Sequence, residues 1–142
     1  MTRQEAERQT RMLDALRKHG VATNDVWALR RISMTLQRWH ELECGDSNNF
    51  ASWAIERDGD EPDSKPYMVR WSHDRPKPSK TPIADRETGA LKRLKAIMSR
   101  YPQLAYYVQG DPRGCALYVL RPSDVPEGSS LDSCYSRGVA VY

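Results

Sequence analysis

The chain predicts an α+β domain: an N-terminal helical hairpin, a third helix and a mainly antiparallel sheet. Three observations carry that expectation. Apolar residues recur at helical spacing before residue 45 and again over residues 85–101. Short runs rich in aromatic and β-branched residues fill much of the remainder. Two of those runs are joined by Asp111-Pro112-Arg113-Gly114, a tight-turn tetrapeptide. With 142 residues, 39% of them hydrophobic and 29% charged, one domain can bury a core without disulfides or metals to staple it. The expected layout is a helical hairpin over residues 1–45, strands with acidic and Pro-rich mobile loops over 46–82, and a helix followed by antiparallel strands over 83–142.

Residues 3–18 favour helix by composition, with Ala6, Met12, Leu13 and Leu16 forming a thin apolar stripe. Lys18, His19 and Gly20 then read as a helix stop, with cations in the last turn and a glycine after it. The second helix is the most strongly patterned. Thr23, Asn24 or Asp25 can cap it, Val26, Leu29, Ile32, Leu36 and Trp39 recur every three or four residues, and Gly45 ends it. The short Gly-containing connection predicts an αα-hairpin.

Strand-like runs follow from Phe50 to Glu56 and from Tyr67 to Trp71, separated by the acidic turn Asp58-Gly59-Asp60-Glu61-Pro62. Residues 72–82 hold Pro76, Pro78 and Pro82 with Lys77 and Lys80, a composition that predicts an extended, mobile connection. In "DRETGALKRLKAIMSRYP", Asp85 is a candidate cap and Ala90, Leu91, Leu94, Ile97, Met98 and Tyr101 form an apolar stripe that Pro102 stops. Two strands in "YYVQGDPRGCALYVL" and a last one in "SRGVAVY" complete the sheet.

The tetrapeptide between those two strands is a corner before it is a site. A type I turn wants Asp first, Pro second and Gly fourth, so Asp111, Pro112 and Gly114 are structural turn residues. Only Arg113 is left over, a planar donor fork held out at a rigid tip where it could meet a carboxylate or phosphate. The other candidate binding residues are Arg86, Lys92, Arg93, Lys95 and Arg100 on the third helix. Within residues 83–103 these five cations oppose only Asp85 and Glu87, so this segment carries the whole net charge of +3. Arg30, Arg31 or Arg38 would extend such a patch.

The phrases "LQRWHELECG", "YVQGDPRGCALYV" and "YSRGVAVY" resemble small, uncharacterised accessory proteins of tailed bacteriophages and prophages. The resemblance spans roughly residues 29–142 and is sharpest from Gln109 to Cys115. It lends no catalytic residue. It implies a phage gene product acting in the host bacterial cytoplasm by binding a host protein or nucleoprotein complex. Inhibitors of host defence systems such as CRISPR belong to the same category of gene.

Other chemistries find weaker patterns. Cys44, Cys115 and Cys134 are odd in number and widely spaced, which is no disulfide framework. The opening residues contain no apolar signal segment, and no run is long enough to span a bilayer. His40 and Cys44 stand four apart, yet a metal site would have to recruit His73, Cys115 or Cys134 without any C-x-x-C pair, so no metal or cofactor is expected. Glu41 and Glu43 point to different sides of a helix. Asp58, Asp60, Glu61 and Asp63 lack calcium-loop spacing. A nuclease built on Glu56 and Asp111, or a Cys134 nucleophile served by His19, His40 or His73, is possible in composition but demanded by no spacing. The expectation is a non-enzymatic binding protein, with a direct nucleic-acid binder and a small metal-dependent nuclease or other hydrolase as the alternatives.

Overall fold

The structure, a computed structural model, describes residues 1–44, 51–57, 66–72, 75–81, 85–111 and 114–142. Side chains are described outside residues 39–52, 56–88 and 111–114. Helix α1 spans Arg3–Lys18 and α2 spans Thr23–Cys44. Strands β1 (Ala51–Arg57), β2 (Pro66–Ser72) and β3 (Arg75–Thr81) follow, then α3 (Asp85–Arg100), β4 (Ala105–Asp111) and β5 (Gly114–Leu120). After two short 3-10 turns and the one-turn helix α4 (Leu131–Cys134), β6 (Val139–Val141) closes the order. The α+β reading with helices first is what the chain adopts.

Local chemistry sets the ends of α1. Thr2 Oγ1 accepts from the Glu5 amide at 3.1 Å and the Glu5 carboxylate accepts from the Thr2 amide at 2.8 Å, a reciprocal pair that satisfies two otherwise idle N–H groups. At the other end Gly20 takes φ +83°, where a side chain is strained. That conformation lets the Gly20 amide reach the Arg17 carbonyl and the Val21 amide reach the Leu16 carbonyl, while Leu16 and Val21 both enter the core. None of the suggested α2 caps acts as one in the described contacts. Thr23 Oγ1 accepts from the Arg17 guanidinium, and the Asp25 carboxylate is taken up by Arg100 and Tyr101.

The sheet has six strands in the order β3-β2-β1-β4-β5-β6, and every pairing is antiparallel. Asp111 pairs with Gly114, leaving a two-residue connection whose conformation lies outside the described residues. Residues 75–81 differ from expectation, because they are a strand and not a linker. Proline removes a ladder donor, which an edge strand tolerates because one side of it has no neighbour. Pro76 and Pro78 are two apart, so both nitrogens face the same side. β3 is such an edge, paired with β2 through Met68↔Thr81, Val69↔Lys80 and Arg70↔Ser79, with a register shift beyond.

Strand alternation sends Trp53, Ile55, Tyr106, Val108, Leu117 and Val119 to one face, where they meet Leu16, Leu29, Ile32, Leu36, Leu94 and Ile97 from the helices. Each buried aliphatic side chain contributes about 1.5–3 kcal/mol relative to exposure. Ala54, Tyr107 and Leu120 point the other way. There Cys134, Leu131, Val125 and Tyr135 from the segment after β5 cover them. Tyr135 stacks on Tyr107 at 5.4 Å and meets Tyr118 edge-on at 5.1 Å, and its hydroxyl accepts from the Gln109 amide at 2.6 Å. The helical layer is therefore the thick one. α1 lies against β6, α2 packs on β5 and α3, and α3 reaches over β2.

Candidate interaction surface

Helix α3 carries Lys92, Arg93, Lys95 and Arg100, four of the cations that the sequence singles out, and the fold sorts them into two groups. Arg100 belongs to the architecture. Its Nε donates to Asp25 Oδ2 at 3.1 Å, its second contact is to Oδ1, and the Tyr101 hydroxyl donates to Oδ2 at 2.8 Å. The same Tyr101 oxygen accepts the Ala22 amide at 2.9 Å, so one cluster fastens the end of α3 to the start of α2. The guanidinium beside it, together with the Tyr101 hydroxyl, holds the Asp25 carboxyl below its usual range against the opposing effect of burial. Lys95 is half-buried and engaged. Lys92 and Arg93 are exposed, and they make no ion pair among the described residues. Arg86 and Arg113 carry side chains outside the described set, as do Asp111, Pro112 and Gly114, and so does the His40–Cys44 pair.

Helix α2 continues this surface. Val26, Leu29, Ile32 and Leu36 are 0–1% exposed and point to the sheet. Arg31 and Arg38 stand on the opposite face, exposed and without an ion pair among the described residues. In the same row, Trp27 precedes Arg31 and Met34 lies between the two arginines, 37% and 48% exposed. Sequence reasoning passed over these two because they fall out of phase with the buried stripe. Their separation of seven residues, on the face holding Arg31 and Arg38, is the signal that could have found them.

Arg30 and Ser33 occupy the flank of α2 that faces β6. Ser33 Oγ donates to the buried Val141 carbonyl at 3.0 Å, and Arg30 Nε donates to the Tyr142 carbonyl at 2.8 Å. The Arg30 guanidinium also lies 5.9 Å from the centre of the Trp27 ring, while Arg8 of α1 stands 5.2 Å over the Tyr142 ring. Arg30 is thus a structural bolt that steadies Trp27 as well.

Among the described residues, Cys134 and His19 are sealed in. Cys134 is 3% exposed, packed in the cluster behind the sheet with its Sγ 3.5 Å from Ser133 Oγ, which removes the thiol from a nucleophile's position. His19 has a side chain only 6% exposed, and neither ring nitrogen finds a hydrogen-bond partner. Asp124 Oδ2 lies 3.7 Å away, but that carboxylate already accepts the Arg121 amide at 2.7 Å, with Arg121 Nε at 3.6 Å. Burial first, and then the Arg121 charge, push the His19 pKa below its ordinary value, with Asp124 opposing them. Among the described residues no three His, Cys, Asp or Glu side chains are placed to hold a metal ion. No described helix is long and apolar enough to cross a membrane.

The outer face of α2 sets unpaired arginines beside the exposed Trp27 and Met34 on a rigid element, an arrangement suited to recognition. No protein-family model, curated protein or solved structure matches the chain.

Proposed function

We propose that this chain is a non-enzymatic accessory protein of the phage type its sequence resembles, acting in the bacterial cytoplasm by binding a host protein or nucleoprotein complex. Its working surface is the outer face of the helical layer, with Lys92 and Arg93 on α3 and Arg31 and Arg38 on α2; Arg113, which lies outside the described residues, is a further contact in this proposal. One observation carries this reading. Cations that the fold needs are paired, as Arg100 is with Asp25 and Arg30 with the Tyr142 carbonyl. Those on the outward lines of α2 and α3 are left without an ion pair among the described residues. An exposed cation contributes little to folding, so a row of them on a rigid layer supports attraction of an acidic or phosphate-bearing partner. Blocking a component of host defence is a role such a binder would serve.

The test is affinity capture from bacterial lysate, with and without nuclease treatment, using the parent and a Lys92→Glu, Arg93→Glu double variant. The expected result is one specific, nuclease-resistant partner that the folded variant no longer retains. Capture that vanishes with nuclease would point to direct nucleic-acid binding, whose affinity should also fall by decades as salt rises. A folded variant that captures the same partner as the parent would dismiss the cationic face.

A further inference from the structure

We propose that the crest of α2 is a docking seam for an acidic amphipathic helix of a partner protein. This rests on the reading of the chain as a binder and names the chemistry of what it binds. Trp27, Arg31, Met34 and Arg38 are spaced four, three and four residues apart. At 100° per residue they fall within an arc of about 60°, on a line about 16 Å long. Their alternation of three and four is the spacing by which one helix presents a seam to another. Apolar and cationic positions each recur after seven residues, Trp27 to Met34 and Arg31 to Arg38.

These four side chains lie outside the buried core. The opposite face of α2 is fully buried, so the crest is the outward line of a helix already anchored by Val26, Leu29, Ile32 and Leu36. Trp27 is also pre-positioned. Arg30 lies over its ring and is itself tied to the Tyr142 carbonyl, so less side-chain freedom is lost on docking. A fixed tryptophan with arginine beside it is the composition that dominates binding energy at interfaces.

Charge complementarity selects the occupant. Arg31 and Arg38 call for carboxylates, while Trp27 and Met34 call for apolar side chains at the same seven-residue repeat. A helix with Leu-like residues on one seam position and Glu on the other supplies both. A nucleic-acid backbone could satisfy the arginines, but it leaves Met34 between two phosphate contacts with nothing apolar to cover it. Among the described side chains, a second copy of this chain would bring four arginines into one seam with no carboxylate to meet them. Asp25, the acid of α2 whose side chain is described, is already held by Arg100.

The experiment uses the intact protein and a fluorescein-labelled peptide of about three heptads, with Leu and Glu alternating along its seam. Controls are a scrambled peptide of the same composition, a Lys-for-Glu peptide and a single-stranded oligonucleotide of similar length. Anisotropy titration should show the patterned peptide binding at least about tenfold more tightly than the scrambled one. Arg31→Glu with Arg38→Glu should lose about as much on the Glu peptide and gain it on the Lys peptide, a rescue that general destabilisation cannot produce. Met34→Ser alone, an exposed change checked by circular dichroism, should weaken binding without a charge change. The Lys92→Glu, Arg93→Glu variant should keep most of its peptide affinity. Equal binding of patterned and scrambled peptides, absence of the charge-swap rescue, or preference for the oligonucleotide would each overturn the seam. If Lys92 and Arg93 still govern capture of the lysate partner, the broader reading stands without the seam. If they do not, both fall.

Discussion

Gly138 and Gly89 should answer the same substitution with opposite signs. Gly138 has φ −84° and ψ −177°, extended backbone that any residue adopts, so its lack of a side chain concerns space. A Cβ built there would lie 2.6 Å from the Val119 carbonyl oxygen, 2.8 Å from Leu120 Cγ and 3.2 Å from the Val119 carbonyl carbon. The oxygen belongs to β5, which pairs with β6 through Val119↔Val139, and Leu120 is fully buried. Neither can swing aside as a flexible side chain would. Relief has to come from pushing β6 off β5, which also strains the Ser33–Val141 and Arg30–Tyr142 bonds. Overpacking of this kind costs about 1–3 kcal/mol, and a backbone obstacle places Gly138→Ala toward the upper end. In a chain of this length that lowers Tm by roughly 4–12 °C. Gly89 is exposed within α3, and a Cβ there meets nothing within 4 Å. Gly89→Ala should therefore stabilise by about 0.5–1 kcal/mol through helix propensity and a less flexible unfolded chain. Urea unfolding with a check on the slope m, plus thermal melts followed by circular dichroism, measures both. A Gly138→Ala variant within about 0.5 kcal/mol of the parent would refute the packing argument.

Two electrostatic expectations accompany these. Asp25→Ala unties α3 from α2 and should cost about 1–2 kcal/mol, discounted because Arg100 is half-exposed. A double-mutant cycle with Arg100→Ala should give coupling of at least about 0.5 kcal/mol, and additive losses would refute the link. Because the Asp25 carboxyl titrates below its usual range in the fold, its contribution is present at neutral pH and disappears only as pH falls through that lowered value. His19 acts in the same direction but over a higher pH window. The native state resists protonating it, so the unfolded chain binds the extra proton as pH falls below about 6.5 and stability drops by up to about 1.4 kcal/mol per pH unit. The stability difference between pH 7.5 and pH 5.5 should shrink in His19→Gln, and equal differences in variant and parent would contradict the assignment.

Much of the fold is legible in the sequence wherever periodicity and turn chemistry agree. The stripe from Val26 to Leu36, the stripe from Ala90 to Met98 and the glycine stop at Gly20 all follow from local rules, and so does the pairing of Asp111 with Gly114. β3 escaped because its prolines signal a linker unless one knows that the strand lies at an edge. The segment from Val125 to Tyr135 escaped because its core residues sit in single turns and share no period. The candidate site was less legible. Positive charge on α3 is plain in the sequence, but Arg100 finds its carboxylate 75 residues away. Trp27 and Met34 are apolar residues on the wrong face, and an amphipathic reading rewards the buried stripe while ignoring them.

The anchoring of β6 by α1 and α2 has a consequence for how the protein comes into being. The Ser33–Val141, Arg30–Tyr142 and Met12–Tyr142 contacts bridge 108, 112 and 130 residues of chain. Helices made first therefore pack on strands made last. Contacts this distant in sequence reward the chain only after a large loss of loop entropy, so refolding should be slow for a domain of this size. On the ribosome, the apolar faces of α1 and α2 emerge almost a hundred residues before β6, and at cellular elongation rates they wait roughly 5–20 s for it. During that interval Leu16, Leu29 and Ile32 lack the completed sheet that covers them in the fold. The nascent helical hairpin is then a natural client for a chaperone that holds exposed aliphatic surface until the last strand arrives.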